Sequence, residues 1–224
     1  MCGRFTQTNS SSEIAKAFNL ADVPPLEPQY NITPTQQVAT ILRSDPKSER
    51  EFRWLRWGLI PYWAKDRNIG NKLINARAET VTQKPSFRSA FRHCRCLIMA
   101  SGFYEWQQEE NRKQPFYIQK KDRLPFGFAG LYSTWQPQAG ETISTCTIIT
   151  TEANEIMEQI HKRMPVILET DDYDLWLDPT RQQPELLQSL LQPYNSDKLQ
   201  VYPVSTLVNN PRNNTPECLK LIES

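Results

Sequence analysis

The strongest constraint on the fold is the brevity of its extended segments. Runs of apolar, β-branched and aromatic residues at 38–42, 52–59, 96–100, 103–106, 115–118, 126–131 and 144–150 each read as a short strand bounded by turn formers. Helical signals are also short. Ser10-Ser11-Ser12-Glu13 forms a capping box for a helix through Phe18, with Ile14, Ala17 and Phe18 on its apolar face. Further helices are expected at 86–95, 152–158, 171–178 and 184–191. This pattern predicts an α+β fold, one domain over residues 2–208 built on a curved, barrel-like, mostly antiparallel sheet flanked by short helices. Residues 209–224, rich in Asn, Pro, Arg and Thr near their start, are expected to form a tail without fixed structure. A chain of 224 residues is long enough to bury such a core.

Composition removes several classes of function. Only seven glycines and no Gly-rich phosphate loop argue against a nucleotide-binding fold. Five cysteines, an odd number, do not suit a secreted disulfide framework, and reduced thiols are expected. His93-Cys94-Arg95-Cys96 lacks the second ligand pair of a structural zinc site, so neither metal nor cofactor is expected. No run approaches the ~20 apolar residues of a membrane helix, and the start lacks a signal-peptide pattern. The expected setting is therefore cytoplasmic, nucleoid-associated in a bacterium or nuclear in a eukaryote, with the chain a monomer. The formal net charge of +1 conceals a gradient: residues 43–95 carry 13 Lys or Arg against 5 Asp or Glu. Interleaved with Trp54, Trp57, Trp63, Phe87 and Phe91, that stretch has the makings of a groove that tracks phosphates and stacks bases. The alternative is a solvated surface whose charges disperse on folding.

Cys2 directly follows the initiator Met, whose removal would leave an amine and a thiol on adjacent carbons. An α-amine adds to an aldehyde as a Schiff base. The neighbouring thiol then closes a five-membered thiazolidine, which lysine cannot form. The α-amine also titrates near ~7.7–8.0, so part of it is a neutral nucleophile at cellular pH. Other segments offer partners for this chemistry. In the extended reading of 75–79, Asn75, Arg77 and Glu79 share one face, where Asn75 can orient the Cys2 amine or thiol and Arg77, braced by Glu79, can hold a phosphate. A structural Arg77–Glu79 ion pair is the competing reading. Glu105, between Tyr104 and Trp106, is expected to be desolvated with a raised pKa, ready to carry a proton. His161 can donate or accept a proton near neutrality. Asn31 can brace the N-terminal segment or close its own turn.

Met1-Cys2-Gly3-Arg4, Asn75-Ala76-Arg77-Ala78-Glu79-Thr80, Ser101-Gly102-Phe103-Tyr104-Glu105-Trp106 and His161-Lys162-Arg163-Met164-Pro165 occur in this order. The combination resembles the SRAP family, the SOS response-associated peptidases, from Cys2 to Pro203-Val204-Ser205. The resemblance implies an SRAP-like fold with Cys2, Asn75, Glu105 and His161 as the catalytic set. It further implies that Arg4 and Arg77 hold phosphates, that Trp63 wedges at a duplex end, and that the Thr150 and Thr151 hydroxyls line the cleft. Asn31 and Glu79 would then support the site. The activity so implied is capture of abasic sites in single-stranded DNA, including junctions with duplex, as a thiazolidine crosslink that shields the lesion. Glu105 would open the sugar ring. Two other readings stay open: a cysteine peptidase with Cys2 as N-terminal nucleophile, and a non-covalent reader of modified cytosine.

Overall fold

A computed structural model describes every residue except Met1, Glu109, Asn111, Gln138, Ala139, Glu223 and Ser224. The first half of the chain runs β1 (Phe5–Gln7), α1 (Ser11–Phe18), β2 (Gln29–Ile32), β3 (Gln37–Leu42), β4 (Glu51–Trp57), β5 (Asn75–Arg77), α2 (Arg88–His93), β6 (Arg95–Ala100) and β7 (Gly102–Gln108). It continues with β8 (Lys113–Lys120), β9 (Phe126–Trp135), β10 (Ile143–Glu152), α3 (Glu155–Glu158), β11 (Arg163–Pro165), α4 (Tyr173–Leu177), α5 (Pro184–Ser189) and β12 (Leu199–Pro203). Two sheets result. One has the order β12-β8-β7-β1-β2; the other runs β11-β10-β4-β3-β6-β9 and closes because β9 also pairs with β10. That closure makes a barrel of β10, β4, β3, β6 and β9, antiparallel except for the β10–β4 pair. The expected α+β fold around a barrel-like sheet is therefore present.

Strand alternation divides the core into two layers. Val38, Leu55, Trp57, Cys96, Ile98, Phe126, Phe128, Cys146 and Ile148 cluster with Phe5, Phe103 and Ile118 of the second sheet. The opposite faces, with Ile41, Leu97, Met99, Leu131 and Ile149, pack against α1, α4 and α5 through Ile14, Phe18, Trp176 and Leu187. The second cluster therefore covers the helix-facing side of the barrel strands, and the first joins their other side to the second sheet and to Met157 of α3. Cys2, fully buried, belongs to that first cluster.

Several expectations change in detail. The strand expected to reach Leu59 ends at Trp57, because Gly58 has φ +124°, a left-handed conformation that favours glycine, and its N–H is taken by the Cys146 carbonyl. The helix expected over 86–95 is confined to α2, and Arg95 opens β6 instead. Glu152 ends β10, and the helix that follows starts at Glu155 under an Asn154 cap. Gly102 lies within β7, where a Cβ would collide with the Tyr117 ring, so β7 begins at a glycine for lack of space.

The largest correction concerns the tail. Residues 206–209 and 216–219 form 3-10 turns, Cys218 is fully buried with Tyr104, Tyr117, Val204 and Val208, and Leu221 bridges Val204. Polar composition is tolerated there because Asn side chains supply the contacts: the Asn31 amide nitrogen reaches the carbonyls of Val208, Asn210 and Asn213 at 3.2, 3.1 and 2.7 Å.

Candidate active site

The first residues of the chain enter between the two sheets, where β1 pairs with β7. Phe5 aligns with Phe103, and alternation along β7 puts Glu105 on the face that Phe103 turns to the cluster holding Cys2. Glu105 is 3% exposed. Burial pushes its carboxyl up, while the nearby His161 draws it part of the way back. Burial, and then the Glu105 carboxylate, push the Cys2 thiol well above its usual range, so the sulfur is held as a neutral thiol.

Asn75 comes from β5, a three-residue strand that runs parallel to β10 with Asn75 opposite Ile148. Its amide nitrogen donates to the Cys2 carbonyl at 2.9 Å. Its Oδ1 is buried and has no hydrogen-bond partner among the described residues. His161 follows α3, with its N–H on the Met157 carbonyl at 2.8 Å. Its Nδ1 is 3.0 Å from both the amide nitrogen and the carbonyl oxygen of Arg163, contacts that fix the orientation of the ring. A cleft of about 630 Å³ opens at Glu105 and His161, lined also by Gly3, Arg4, Trp106 and Asn209.

Arg4 forms one wall, half-buried. One guanidinium nitrogen donates to Asn31 Oδ1 at 2.7 Å and to the Val208 carbonyl at 2.6 Å, and the group lies 5.6 Å from the centre of the Trp106 ring. The Trp106 indole in turn donates to Asn209 Oδ1 at 2.7 Å. Asn31 thus braces Arg4 and, through it, the start of the chain.

Other expected site residues fall elsewhere or play other parts. Arg77 is exposed, but Glu79 does not hold it: the Glu79 carboxylate takes both ends of the Arg163 guanidinium, at 2.6 and 3.0 Å. Beyond Arg77 the chain turns, which swings Glu79 toward β11. Thr150 is fully buried, its hydroxyl placed between the Ala76 carbonyl and Arg163, and Thr151 is 4% exposed, so neither presents a hydroxyl openly to the cleft. Trp63 is 48% exposed on the segment after β4. Of the other aromatics in the basic stretch Trp54 and Tyr62 are also exposed, whereas Trp57, Phe87 and Phe91 are core. The stretch itself disperses. Arg43 and Arg50 both meet Asp174, and Arg95 is 3% exposed. Sequence reasoning did not assign Gly3, Trp106, Lys113 or Asn209 to the site. Trp106 adjoined Glu105 in its motif, a usable signal, whereas nothing local to Asn209 marks a cleft residue.

The architecture is a five-strand barrel with an appended sheet and a buried cysteine near Glu105, which in turn lies near His161. The SOS response associated peptidase (SRAP) family model matches residues 1–211, and the chain belongs to this family. It is 49% identical over the full length of both chains to the abasic site processing protein YoqW of Bacillus subtilis. It is 33% identical to the abasic site processing protein HMCES of Xenopus tropicalis, covering 99% of this chain and 78% of that one. Among solved structures, a Bacteroides thetaiotaomicron protein matches 99% of this chain and 100% of its own with a TM-score of 0.88 at 30% identity.

Proposed function

We propose that this chain processes abasic sites in DNA by capturing them covalently through Cys2 once Met1 has been removed. The observation that carries the reading is that Glu105 and His161 line one cleft and Cys2 is buried close to Glu105, with Asn75 fastening the Cys2 carbonyl. Relatives named abasic site processing proteins supply the substrate class.

The chemistry follows from the charge states. An abasic sugar is mostly a closed hemiacetal, and opening it requires a proton on the ring oxygen and loss of one from the C1′ hydroxyl. Burial makes the Glu105 carboxyl hold its proton more tightly than an exposed one would, and it serves as that acid. The free α-amine then attacks C1′, the carbinolamine oxygen leaves as water after protonation by Glu105 or His161, and an imine remains. Because burial keeps the Cys2 sulfur as a thiol, the amine acts first. The S–H then adds across the C=N bond, sulfur to carbon and proton to nitrogen, which closes the thiazolidine. Arg4 and Arg77 offer charge to flanking phosphates, and Trp63 offers a stacking surface to single-stranded DNA and its junctions with duplex. The product is a stoichiometric crosslink that shields the lesion.

The test mixes Met1-free protein with a single-stranded oligonucleotide bearing one abasic site and reads denaturing gels and intact mass. A denaturant-resistant adduct that vanishes in Cys2→Ala is expected. An adduct that survives Cys2→Ala, or none at all from fully processed protein, overturns the reading. Peptide-bond cleavage in trans without any adduct would instead make Cys2 the nucleophile of a peptidase.

A further inference from the structure

A second cavity, of about 230 Å³, lies away from Cys2. Its walls include Tyr62, Trp63 and Tyr132, and its hydroxyls come from Ser86, Ser89 and Thr134. Tyr62 is 67% and Trp63 48% exposed, large aromatic surfaces left in solvent by a segment that is otherwise firmly anchored. That anchoring is specific: the Trp135 indole donates to the Ala64 carbonyl at 2.7 Å, and Ile60, Ala64 and Trp135 form a small core beneath. The aromatic rings are therefore presented on a rigid base and lose little freedom on binding.

Charge identifies the kind of occupant. Between Pro61 and His93 the only carboxylates are Asp66, which caps the 3-10 turn Arg67–Lys72, and Glu79, which is paired with Arg163. Lys84 and Arg88, chain neighbours of the lining residues Pro85 and Ser89, are exposed, as are Lys65, Arg67, Lys72 and Arg77. Aromatic walls, hydroxyls that donate or accept, and a cationic rim suit a flat heterocycle attached to phosphates. The volume falls below the ~300–1,000 Å³ of sites for drug-sized ligands, which suits a base without its sugar.

The position relative to the cleft fits as well. Ser133, lining the cavity, pairs with Thr145, and Arg163, whose N–H meets Nδ1 of the cleft residue His161, pairs with Glu152. Seven residues of β10 separate the two, about 23 Å at ~3.3 Å per residue, a span that several nucleotides cover. We propose that this cavity takes one unstacked nucleobase of the lesion-bearing strand, at a fixed number of nucleotides from the abasic site. The proposal rests on the function proposed above and adds a base-reading subsite to it.

Binding can be separated from capture by using a tetrahydrofuran abasic analogue, which has no aldehyde. Anisotropy would measure wild-type affinity for a single-stranded oligonucleotide carrying this analogue, and for a series in which a second base is deleted at each position on either side. Loss of one particular base should weaken binding about tenfold, the worth of one base–aromatic stack. Ser89→Trp, which fills the cavity from an exposed position, and Tyr62→Ala should each cause a similar loss with the intact oligonucleotide and abolish the position dependence, while leaving the salt slope unchanged. Equal affinities across the deletion series, or both variants binding like wild type, overturn the subsite. Failure of the capture reading would show separately, as absence of adduct with aldehyde-bearing DNA.

Discussion

Two buried polar centres in this protein, Arg95 and the Glu105–Asn75 group near Cys2, are treated in opposite ways. At β6 Arg95 spends all five of its N–H donors on the carbonyls of Phe91, Arg92, Trp176, Asp178 and Arg181, with the Trp176 ring 5.7 Å away. Burial lowers its pKa to about 10, which still leaves it charged at neutrality. It ties α2, β6 and the end of α4 together and has no donor left for a ligand. Near Cys2, Asn75 donates an N–H to the Cys2 carbonyl but leaves a buried Oδ1 without a partner among the described residues, and Glu105 carries a carboxyl whose charge burial disfavours. Saturated polar groups such as Arg95 stabilise; a buried acceptor left open, like Asn75 Oδ1, is ready for a reacting partner.

Substitution at the two centres should separate rate from stability. Glu105→Gln should slow adduct formation by about 10²–10⁴-fold, the usual worth of a general acid–base, while the fold holds. Its stability profile carries a further sign. A carboxyl raised in the fold has its stability fully present below its unfolded pKa of ~4.3 and loses it as pH rises through the folded value, so wild type should decline across that window while Glu105→Gln stays flatter in urea titrations. Arg95→Met should do the reverse. Five carbonyls lose their donor, so about 3–5 kcal/mol of stability should go, a melting drop on the order of 10 °C, with adduct yield per folded molecule unchanged. A melting curve like that of wild type would erase the distinction.

Smaller effects sharpen the same contrast. Asn75→Ala should slow capture about tenfold or more and cost about 1 kcal/mol, because a positioning contact to Cys2 is lost. Glu79→Gln tests the tie to Arg163. Burial alone would raise the Glu79 carboxyl, but the Arg163 guanidinium outweighs it and holds the group below its usual range. Such a group stabilises above ~4.3 and loses that contribution as pH falls through the lower folded value. With half of the Glu79 side chain exposed, the difference from Glu79→Gln at pH 7 should stay below ~1 kcal/mol and shrink on acidification.

Local pattern explains what could be read in advance. Ser10 and Glu13 specify the start of α1, and their reciprocal bonds are formed, Ser10 N–H to Glu13 at 2.8 Å and Glu13 N–H to Ser10 at 3.3 Å. Short apolar and β-branched runs located β3, β6, β9 and β10, and four ordered motifs indicated the family. Misplaced residues were those whose partner is remote. Glu79 meets Arg163, 84 positions away, and Asn31 meets Asn213, 182 away. Arg95 looked like one cation of a DNA-binding stretch until α4 supplied its carbonyls.

The sequence by itself determined the short strands and caps, the family, and the presence of a cysteine, a carboxylate and an imidazole suited to aldehyde chemistry, because each depends on neighbouring residues or on residue type. Only the tertiary structure decided that β9 closes on β10, that the C-terminal residues wall the cleft, and which arginines face solvent. Those outcomes depend on burial and hydrogen-bond satisfaction between segments far apart in the chain, for which a linear pattern carries no coordinate.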